Sequence, residues 1–361
     1  MSLFLFILIL AALILVHELG HFAVAKFFKI KVEEFGIGFP PRLLKIKKGE
    51  TLYSINLLFF GGFVKIFGED HNEAAGNPRS FASKTRSVQA AVVAAGIVMN
   101  LLFAWGLLSV GYLVGIPTSA QHEGVGQVTN AKVLVVGLLP ESPAAKSGVL
   151  PEDVVVGVAT AGVALPTDLD AAEVRAFIKE HQEESIILSV MRAGEEKTFV
   201  VRAQEGLIEG RKALGVEIDD VGILKLPVHL ALAQGAVLTY RMTISTTEGL
   251  GLFFYQIAKG VADFSSVAGP IGIAGIGAKA VSHGFSAAII LTALISINLA
   301  IINLLPIPGL DGGRLLIIAI ESVIRRPVPQ KLSLSITMVG LALLILLMLV
   351  VSYHDIARLV G

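Results

Sequence analysis

Four long apolar segments divide the chain and are separated by polar stretches. They cover residues 3–25, 88–116, 284–305 and 332–353. Each reaches the roughly 20 residues that a helix needs to cross the hydrocarbon core of a bilayer. The last three contain no Asp, Glu, Lys or Arg. The pattern predicts four transmembrane helices. The first is expected to be retained, because neither the basic flank nor the small-residue cleavage site of a signal peptide accompanies it.

Composition agrees with a membrane protein and narrows its chemistry. Of the 361 residues, 54% are hydrophobic and only 16% are charged, whereas soluble domains carry about 25% charged residues. The formal net charge is +0, which gives no sign of nucleic-acid binding. Cysteine is absent, so disulfides and thiolate metal sites are excluded, and a metal ion must be bound by His and carboxylate side chains.

Basic residues indicate which side of the membrane each connection faces. Lysines and arginines are dense between the first two apolar segments, at 26–86, and recur between the last two, at 314–331. Cytosolic connections carry such an excess of positive charge. We therefore predict a multi-pass protein in which these two connections are cytosolic, while both termini and the segment 117–283 lie outside.

The first cytosolic connection is predicted to contain a β-loop at residues 42–68. A turn cluster at 36–41 precedes runs rich in β-forming residues at 42–48, 51–57 and 63–67, which are separated by Gly49 and by Gly61-Gly62. Such strands could dip into the membrane beside an active site and pair with an unwound substrate through an open edge. A small cytosolic hairpin is the alternative interpretation.

The outer segment is predicted to contain a mixed α+β domain at residues 124–206. Strands are expected at 133–136, 154–158, 186–191 and 197–203, with helices after Ser142 and after Asp170. The stretch SPAAKSGVLPEDVV is similar to one in the PDZ domains of bacterial proteases. Thr160-Ala161-Gly162 stands where those domains usually have Asn-Gly. The alternative is a small outward-facing domain without a ligand.

Residues 227–262 allow two interpretations. The run 226–240 is uncharged, but Arg241, Glu248 and Lys259 interrupt the longer pattern. An amphipathic helix at the membrane interface is the simpler one. A fifth span would invert the next helix and move its polar motif to the outer side. We therefore divide the membrane core into residues 1–116 and 263–361, with the interfacial helix at 227–262 between them and the outer domain.

Three ionisable residues arrive together inside the first apolar segment, in the sequence His17-Glu18-Leu19-Gly20-His21. Histidines four residues apart on a helix lie on one face, so His17 and His21 can bind one zinc ion, and Glu18 can reach a water molecule on that ion. A chance match on an ordinary helix is disfavoured, because ionisable groups at membrane depth cost roughly 2.5–3.5 kcal/mol each on insertion scales.

A second polar motif, NLLPIPGLDGG, covers residues 303–313. Its two prolines end a helix, and under the predicted topology the motif lies at the same cytosolic depth as the histidine pair. Asp311 can therefore be the third zinc ligand, and Asn303 could donate to a developing oxyanion or bind substrate backbone. The alternatives are a helix cap for Asp311 and a hydrogen bond between helices for Asn303.

Together these motifs resemble the bacterial site-2 protease family of intramembrane zinc metalloproteases, and its regulator-of-sigma-E protease branch is closest in layout. YSINLLFFGGFVKIFGED is similar to the family's membrane-associated β-loop, Gly96–Asn100 to its motif in the second span, and GPIGI to its segment before the third. Phe59-Phe60 departs from the family's Pro-Leu before the paired glycines. Only one PDZ domain fits, whereas some relatives carry two.

The resemblance implies a function. Zinc would be bound by His17, His21 and Asp311, and Glu18 would act as general acid and base. Substrate contacts are expected at Asn303, Asn100, Gly61 and Gly62. The partners would be the lipid bilayer and single-pass proteins already trimmed outside, such as anti-sigma factors or signal-peptide remnants. The PDZ domain would face outward from the inner membrane and exclude untrimmed substrates.

Two other functions are compatible with some of these features. Intramembrane His and Asp residues would also suit a zinc transporter or sensor. Such a protein has no need of a general base at Glu18, which favours the protease. An inactive PDZ scaffold is disfavoured by the intact ligand set. The sequence predicts no particular oligomeric state.

Overall fold

The computed structural model describes residues 2–69, 76–122, 124–166, 168–208, 211–261, 269–282, 284–326 and 328–360. These residues form two compact units. The membrane unit comprises Met1–Gly111 and Ala231–Gly361, and the inserted unit comprises Tyr112–Leu230.

The first half of the membrane unit contains two long helices and the β-loop between them. Helix α1 is Ser2–Phe27, strands β1 and β2 are Val32–Lys48 and Thr51–Ile66, and helix α2 is Arg86–Val114. The end of α1 and the end of β2 pack on α2 through a buried apolar cluster that includes Ala25, Ile66 and Val92. The β-loop is thereby attached to both helices.

The β-loop is a sheet of four segments made from only two strands. Glu34 pairs with both Lys65 and Leu52, and Lys47 pairs with Leu52 from the other side. The spatial order is therefore 62–66, 32–37, 52–56 and 42–48. The predicted range of 42–68 omits the central segment 32–37. The residues at 36–41 suggested a turn, but irregular pairing lets strand β1 bend and continue through them.

The inserted unit is an antiparallel sheet with two short helices. Its elements are β3 Ile116–Ser119, β4 Val128–Leu138, α3 Pro143–Lys146, β5 Val154–Ala159, α4 Ala171–Glu180, β6 Ser185–Arg192, β7 Glu195–Arg202, β8 Gln204–Ile208, β9 Arg211–Ala213 and β10 Val216–Leu224. The main sheet has the order β3-β10-β4-β5-β6-β7, while β8 and β9 form a separate hairpin. The side chains of Ser142 and Asp170 cap the two helices, as their positions in the sequence predict.

The inserted unit extends beyond the predicted range 124–206 at both ends. Strands β3 and β10 lie outside that range and pair with each other from Ile116↔Leu224 to Val221↔Ser119. Strand β10 also pairs with β4 in the middle of the sheet. The predicted boundaries would therefore cut through the sheet. Local patterns miss this, because β3 is only four residues long.

Helix α5, Val228–Ala258, covers most of the predicted interfacial segment 227–262. The indole N–H of Trp105 donates to the carbonyl oxygen of Leu232 at 2.9 Å, and Gly235 lies directly against Ser109. The first half of α5 thus packs on α2. Its position at the membrane interface stays a prediction, and residue 262 lies outside the described residues.

After α5, the described residues of the membrane unit form four helices: α6 Pro270–Ser282, α7 Phe285–Leu304, α8 Asp311–Ile324 and α9 Gln330–Val360. Pro270 begins α6, and the side chain of Asp355 on α9 accepts hydrogen bonds from the N–H groups of Gly269 and Gly272. Among the described residues, four helices are long and apolar enough to cross a membrane. They are Phe4–Phe27, Arg86–Val114, Phe285–Leu304 and Lys331–Ala357, at the predicted places.

Candidate active site

Three predicted ligands meet at one point, where α1 faces the beginning of α8. The Nε2 atoms of His17 and His21 lie 3.2 Å apart. Oδ2 of Asp311 lies 3.1 Å from the first nitrogen and 3.3 Å from the second. Among the described residues, this is the one group of His, Asp or Glu side chains arranged to bind a metal ion.

These distances fit a tetrahedral zinc ion. Zinc binds imidazole nitrogen and carboxylate oxygen at about 2.0–2.1 Å, and ligand atoms at two corners of such a tetrahedron lie about 3.3–3.4 Å apart. The observed separations of 3.1–3.3 Å therefore outline one face, which leaves the fourth corner for water. Oδ2 of Asp311 is also buried without a hydrogen-bond partner, as expected of an atom that binds a cation.

Helix α2 fixes the orientation of both imidazoles. Nδ1 of His21 lies 2.8 Å from the carbonyl oxygen of Val92, so Nδ1 donates and Nε2 is left as the ligand atom. Nδ1 of His17 lies 3.2 Å from the side-chain amide of Asn100, whose Oδ1 has no partner. Turning that amide over places Oδ1 as the acceptor, which gives His17 the same tautomer.

Two glycines allow the histidines to lie this close to α2. A Cβ atom on Gly96 would lie 2.5 Å from Nε2 of His21 and 2.7 Å from Cε1 of His17. A Cβ atom on Gly20 would lie 2.4 Å from the carbonyl oxygen of Ala95. Neither position can accept a side chain without displacing the helices.

The second motif presents Asp311 through a tight turn. Helix α7 ends at Leu304 and α8 begins at Asp311, because the prolines between them cannot continue a helix. Cβ atoms on Gly312 and Gly313 would lie 2.2–2.3 Å from carbonyl oxygens of the turn, so only glycine lets α8 start there. Asp311 makes no capping hydrogen bond, and Leu310 occupies the cap position.

Asp311 is ionised at neutral pH. Burial alone would raise its pKa, but hydrogen bonds donated by His17 and His21 when their Nε2 atoms are protonated outweigh burial and lower the pKa to about 2. A carboxylate in this state can bind a cation without first losing a proton.

Glu18 lies beside the β-loop. It is partly buried, and a Cβ atom on Gly62 would lie 3.4 Å from its Cγ. Gly61 lies against the ring of Phe39, where a Cβ atom would be only 2.5 Å away. The two glycines thus bring the edge segment 62–66 close to the predicted general base. A carboxylate next to a polarised water can remove its proton.

Comparison with known families settles the class of protein. The sequence matches the model of peptidase family M50 over residues 5–347. The chain belongs to peptidase family M50. The predicted class of enzyme, a metalloendopeptidase, is thereby confirmed.

Relatives of this M50 peptidase match along nearly its whole length. A putative zinc metalloprotease of Nostoc sp. is 34% identical, over 96% of this chain and 93% of the relative. One of Clostridium acetobutylicum is 31% identical, over 97% of this chain and 96% of the relative. The zinc metalloprotease RasP of Geobacillus kaustophilus is 29% identical, over 98% and 97%.

Asn100 is enclosed beside one of the predicted ligands. It is fully buried and contacts His17. Its main-chain oxygen also accepts a hydrogen bond from Ser296 at 2.8 Å. A residue in this place can orient His17, and its predicted contact with substrate stays a prediction. Sequence spacing alone could not reveal the contact with His17, since the two residues are 83 positions apart.

Asn303 lies on the last turn of α7 and is partly buried. Its side chain makes no hydrogen bond to the residues that the structure describes, so the predicted role in binding substrate stays a prediction. Of the other histidines, His181 donates from Nδ1 to the carbonyl oxygen of Phe177 at 3.0 Å, and its ring stacks on that of Phe177. His71 and His283 lie outside the described residues.

Proposed function

We propose that this M50 peptidase is a zinc-dependent intramembrane endopeptidase that cleaves transmembrane segments of membrane proteins. The observation that carries the proposal is the tetrahedral spacing of His17, His21 and Asp311, with Glu18 beside them on a helix apolar enough to span a membrane. Relatives that match the whole chain are named zinc metalloproteases, which supports zinc as the metal.

The residues of the site divide the chemistry among them. A zinc ion bound by the three ligands supplies Lewis acidity that polarises water and the scissile carbonyl. Glu18 takes a proton from the attacking water as the new C–O bond forms, and delivers it to the leaving nitrogen as the C–N bond breaks. Val92 and Asn100 hold the imidazoles so that their Nε2 atoms face the metal. Asn303 donates a hydrogen bond to the substrate carbonyl oxygen.

The β-loop presents the substrate as an extended strand. A transmembrane helix shields its peptide bonds by internal hydrogen bonds, so cleavage requires local unwinding. The segment 62–66 is at the edge of the four-segment sheet, with 32–37 as its neighbour among the described residues. An unwound substrate pairs with that edge and lies beside Glu18. The closeness of Gly62 to Glu18 favours this role over that of a separate cytosolic hairpin.

The inserted unit is a PDZ domain that faces outward and limits which substrates enter. A groove of about 570 Å³ lies between α4 and β10, with Leu138, Ile178 and Leu214 in its lining and Arg175 and Lys212 also contributing. An extended peptide with an apolar residue and an acidic end can bind to such a surface, because the lining combines apolar side chains with two basic ones. The substrates are single-pass proteins already trimmed outside, such as anti-sigma factors or signal-peptide remnants. The protease is a multi-pass protein of the inner membrane, with its active site near the cytosol.

Cleavage of a tagged single-pass model substrate by the purified protein tests the function. We expect cleavage within the transmembrane segment, its loss on adding a zinc chelator, and its recovery with zinc. Glu18→Gln should retain zinc but lose cleavage, because only the base is removed. His17→Ala should lose both. Chelator-resistant cleavage that persists in Glu18→Gln would overturn the proposal.

A further inference from the structure

Arg314 joins the helix that carries Asp311 to the end of the β-loop. It lies three residues after Asp311 on α8. One guanidinium nitrogen pairs with the carboxylate of Glu69, and the other donates to the main-chain oxygen of Glu69 at 3.2 Å. Because both bonds reach the same residue, Arg314 fixes the backbone there as well as neutralising the charge.

A third contact fastens the same end of the β-loop. The guanidinium carbon of Arg314 lies 4.9 Å from the centre of the Phe81 ring. The N–H of Phe81 donates to the carbonyl oxygen of Phe67 at 2.9 Å, and the N–H of Glu69 donates to that of Ile66 at 3.3 Å. Both hydrogen bonds of the Arg314 guanidinium therefore reach the chain just after strand β2, and its ring contact reaches a residue that is bonded to the same stretch.

The other end of this connection is held firmly. Because Gly312 and Gly313 have no side chains, the first turn of α8 packs directly against the chain that precedes it. Further along α8, the buried carboxylate of Glu321 pairs with Arg86 at 2.7 Å and accepts the N–H of Val328 at 2.8 Å. Helix α8 therefore provides a fixed base from which Arg314 reaches the β-loop.

The pair is not simply part of the apolar core. The Arg314 and Glu69 side chains are 32% and 33% exposed. Both line a cavity of about 380 Å³ that also contacts Asp311 and Thr337. Ion pairs that are in contact with solvent contribute little to stability. The geometry of this pair therefore points to a role other than general stabilisation.

We infer that Arg314 is a positioning residue that couples the metal-ligating helix to the β-loop. This inference rests on the proposed function. Segment 62–66, which ends three residues before Glu69, receives the substrate strand, while Asp311 fixes the metal. Arg314 keeps the two at a constant separation, so that the scissile carbonyl of a paired strand meets the metal and Glu18. The planar fork is essential, because the single charge of a lysine cannot hold two oxygen atoms of Glu69 in fixed directions.

Kinetics of Arg314→Met in the full-length protein test the coupling. Misplacement of a bound substrate by about 1 Å can cost roughly a hundredfold in rate. We expect kcat/KM to fall by about ten- to a hundredfold, mostly through kcat, with zinc content unchanged. Arg314→Lys should recover only part of the loss. Arg79→Met is the matched control, because it removes an arginine paired with Glu50 at the other end of the β-loop and should leave kcat/KM near the wild-type value.

A second measurement does not depend on activity. Hydrogen–deuterium exchange at residues 61–69 should rise in Arg314→Met and stay near wild type in Arg79→Met, while α2 stays protected in both. Faster exchange in Arg314→Met, together with a wild-type protein that cleaves no substrate, would sink the proposed function and leave the coupling intact. Unchanged exchange, or a loss of zinc together with kcat, would overturn the coupling.

Discussion

At the scale of single residues, the candidate metal site depends on two glycines and a buried amide as well as on the three predicted ligands. His17 and His21 share a helix face because they are four residues apart. Their approach to Asp311 also requires that nothing projects from Gly96, and their tautomers are fixed by Val92 and Asn100. Local spacing in the sequence therefore predicts which residues can be ligands. It does not predict the residues of α2 that orient those ligands.

The role of Gly96 can be tested by comparing two glycines of α2. Gly96→Ala introduces a methyl group 2.5 Å from Nε2 of His21, whereas Gly106→Ala meets no atom within 4 Å. We expect Gly96→Ala to weaken zinc binding by about 10- to 100-fold, as loss of ligand support does in other zinc sites. Competition with a fluorescent zinc chelator gives the affinities. Equal affinities in the two variants would show that the helices yield to the methyl group.

At the scale of elements, bending of β1 and close packing of α8 determine what surrounds the site. The irregular pairing of β1 turns two strands into four sheet segments and brings Gly62 to Glu18. In the inserted unit, a buried ion pair similarly joins strand β6 to the connection between α3 and β5. Arg192 on β6 donates two bonds of 2.6 Å to Asp153, and a third of 2.8 Å to the carbonyl oxygen of Gly148.

This ion pair predicts how the stability of the inserted unit changes with pH. Burial alone would raise the pKa of Asp153, but hydrogen bonds from Arg192 and from the N–H of Leu150 lower it below its usual value. The pair therefore stabilises the fold above pH about 4 and loses this contribution as the pH falls through the lowered pKa.

In Arg192→Met this pH dependence should shrink. Burial then raises the pKa of Asp153 and is opposed by the N–H of Leu150 without the help of Arg192, so less stability is lost as the pH falls toward 4. At pH 7 the unpaired buried carboxylate should cost about 3–5 kcal/mol. Exchange protection of β6 in the full chain, measured from pH 7 to pH 4, gives both quantities. Parallel pH profiles in the two proteins would contradict the assignment to Asp153.

At the scale of the whole molecule, one long insertion interrupts a membrane protein between α2 and α5. The membrane unit takes residues from both ends of the chain, and its ligands come from α1 and α8, nearly three hundred residues apart. The inserted unit begins and ends with two strands that pair with each other, so its ends are adjacent.

Cysteine labelling tests the predicted topology. The chain has no cysteine, so a single introduced thiol is the one group of the protein that the labelling reagent can modify. Ser83 and Ser185 are exposed, in the connection after the β-loop and in the inserted unit respectively. An impermeant reagent added to intact cells should label Ser185→Cys but label Ser83→Cys only after the membrane is opened. Labelling of both from outside would show that the number of spans between them is wrong.

Replacement of the inserted unit tests its role as a filter. Ile116 and Leu224 are cross-strand partners, so a short Gly/Ser linker can replace residues 117–223. The three ligands and Glu18 lie outside this range, so zinc binding and cleavage of trimmed substrates should persist. Substrates with intact outer domains should now also be cleaved. Continued rejection of them by an active variant would place the filter elsewhere.

Local sequence predicted the three side chains that meet at the candidate metal site and the four apolar helices, because a helix face and a membrane-spanning length are properties of short segments. Tertiary structure decided the rest. The contacts that orient His21 and His17 join residues 71 and 83 positions apart, and the pair of Arg314 with Glu69 spans 245. The central place of 32–37 in the β-loop and the wider bounds of the inserted unit likewise come from strand pairing between distant segments. The hydrophobic periodicity of a segment does not identify such partners, since it shows which face of the segment is buried but not which other segment covers that face.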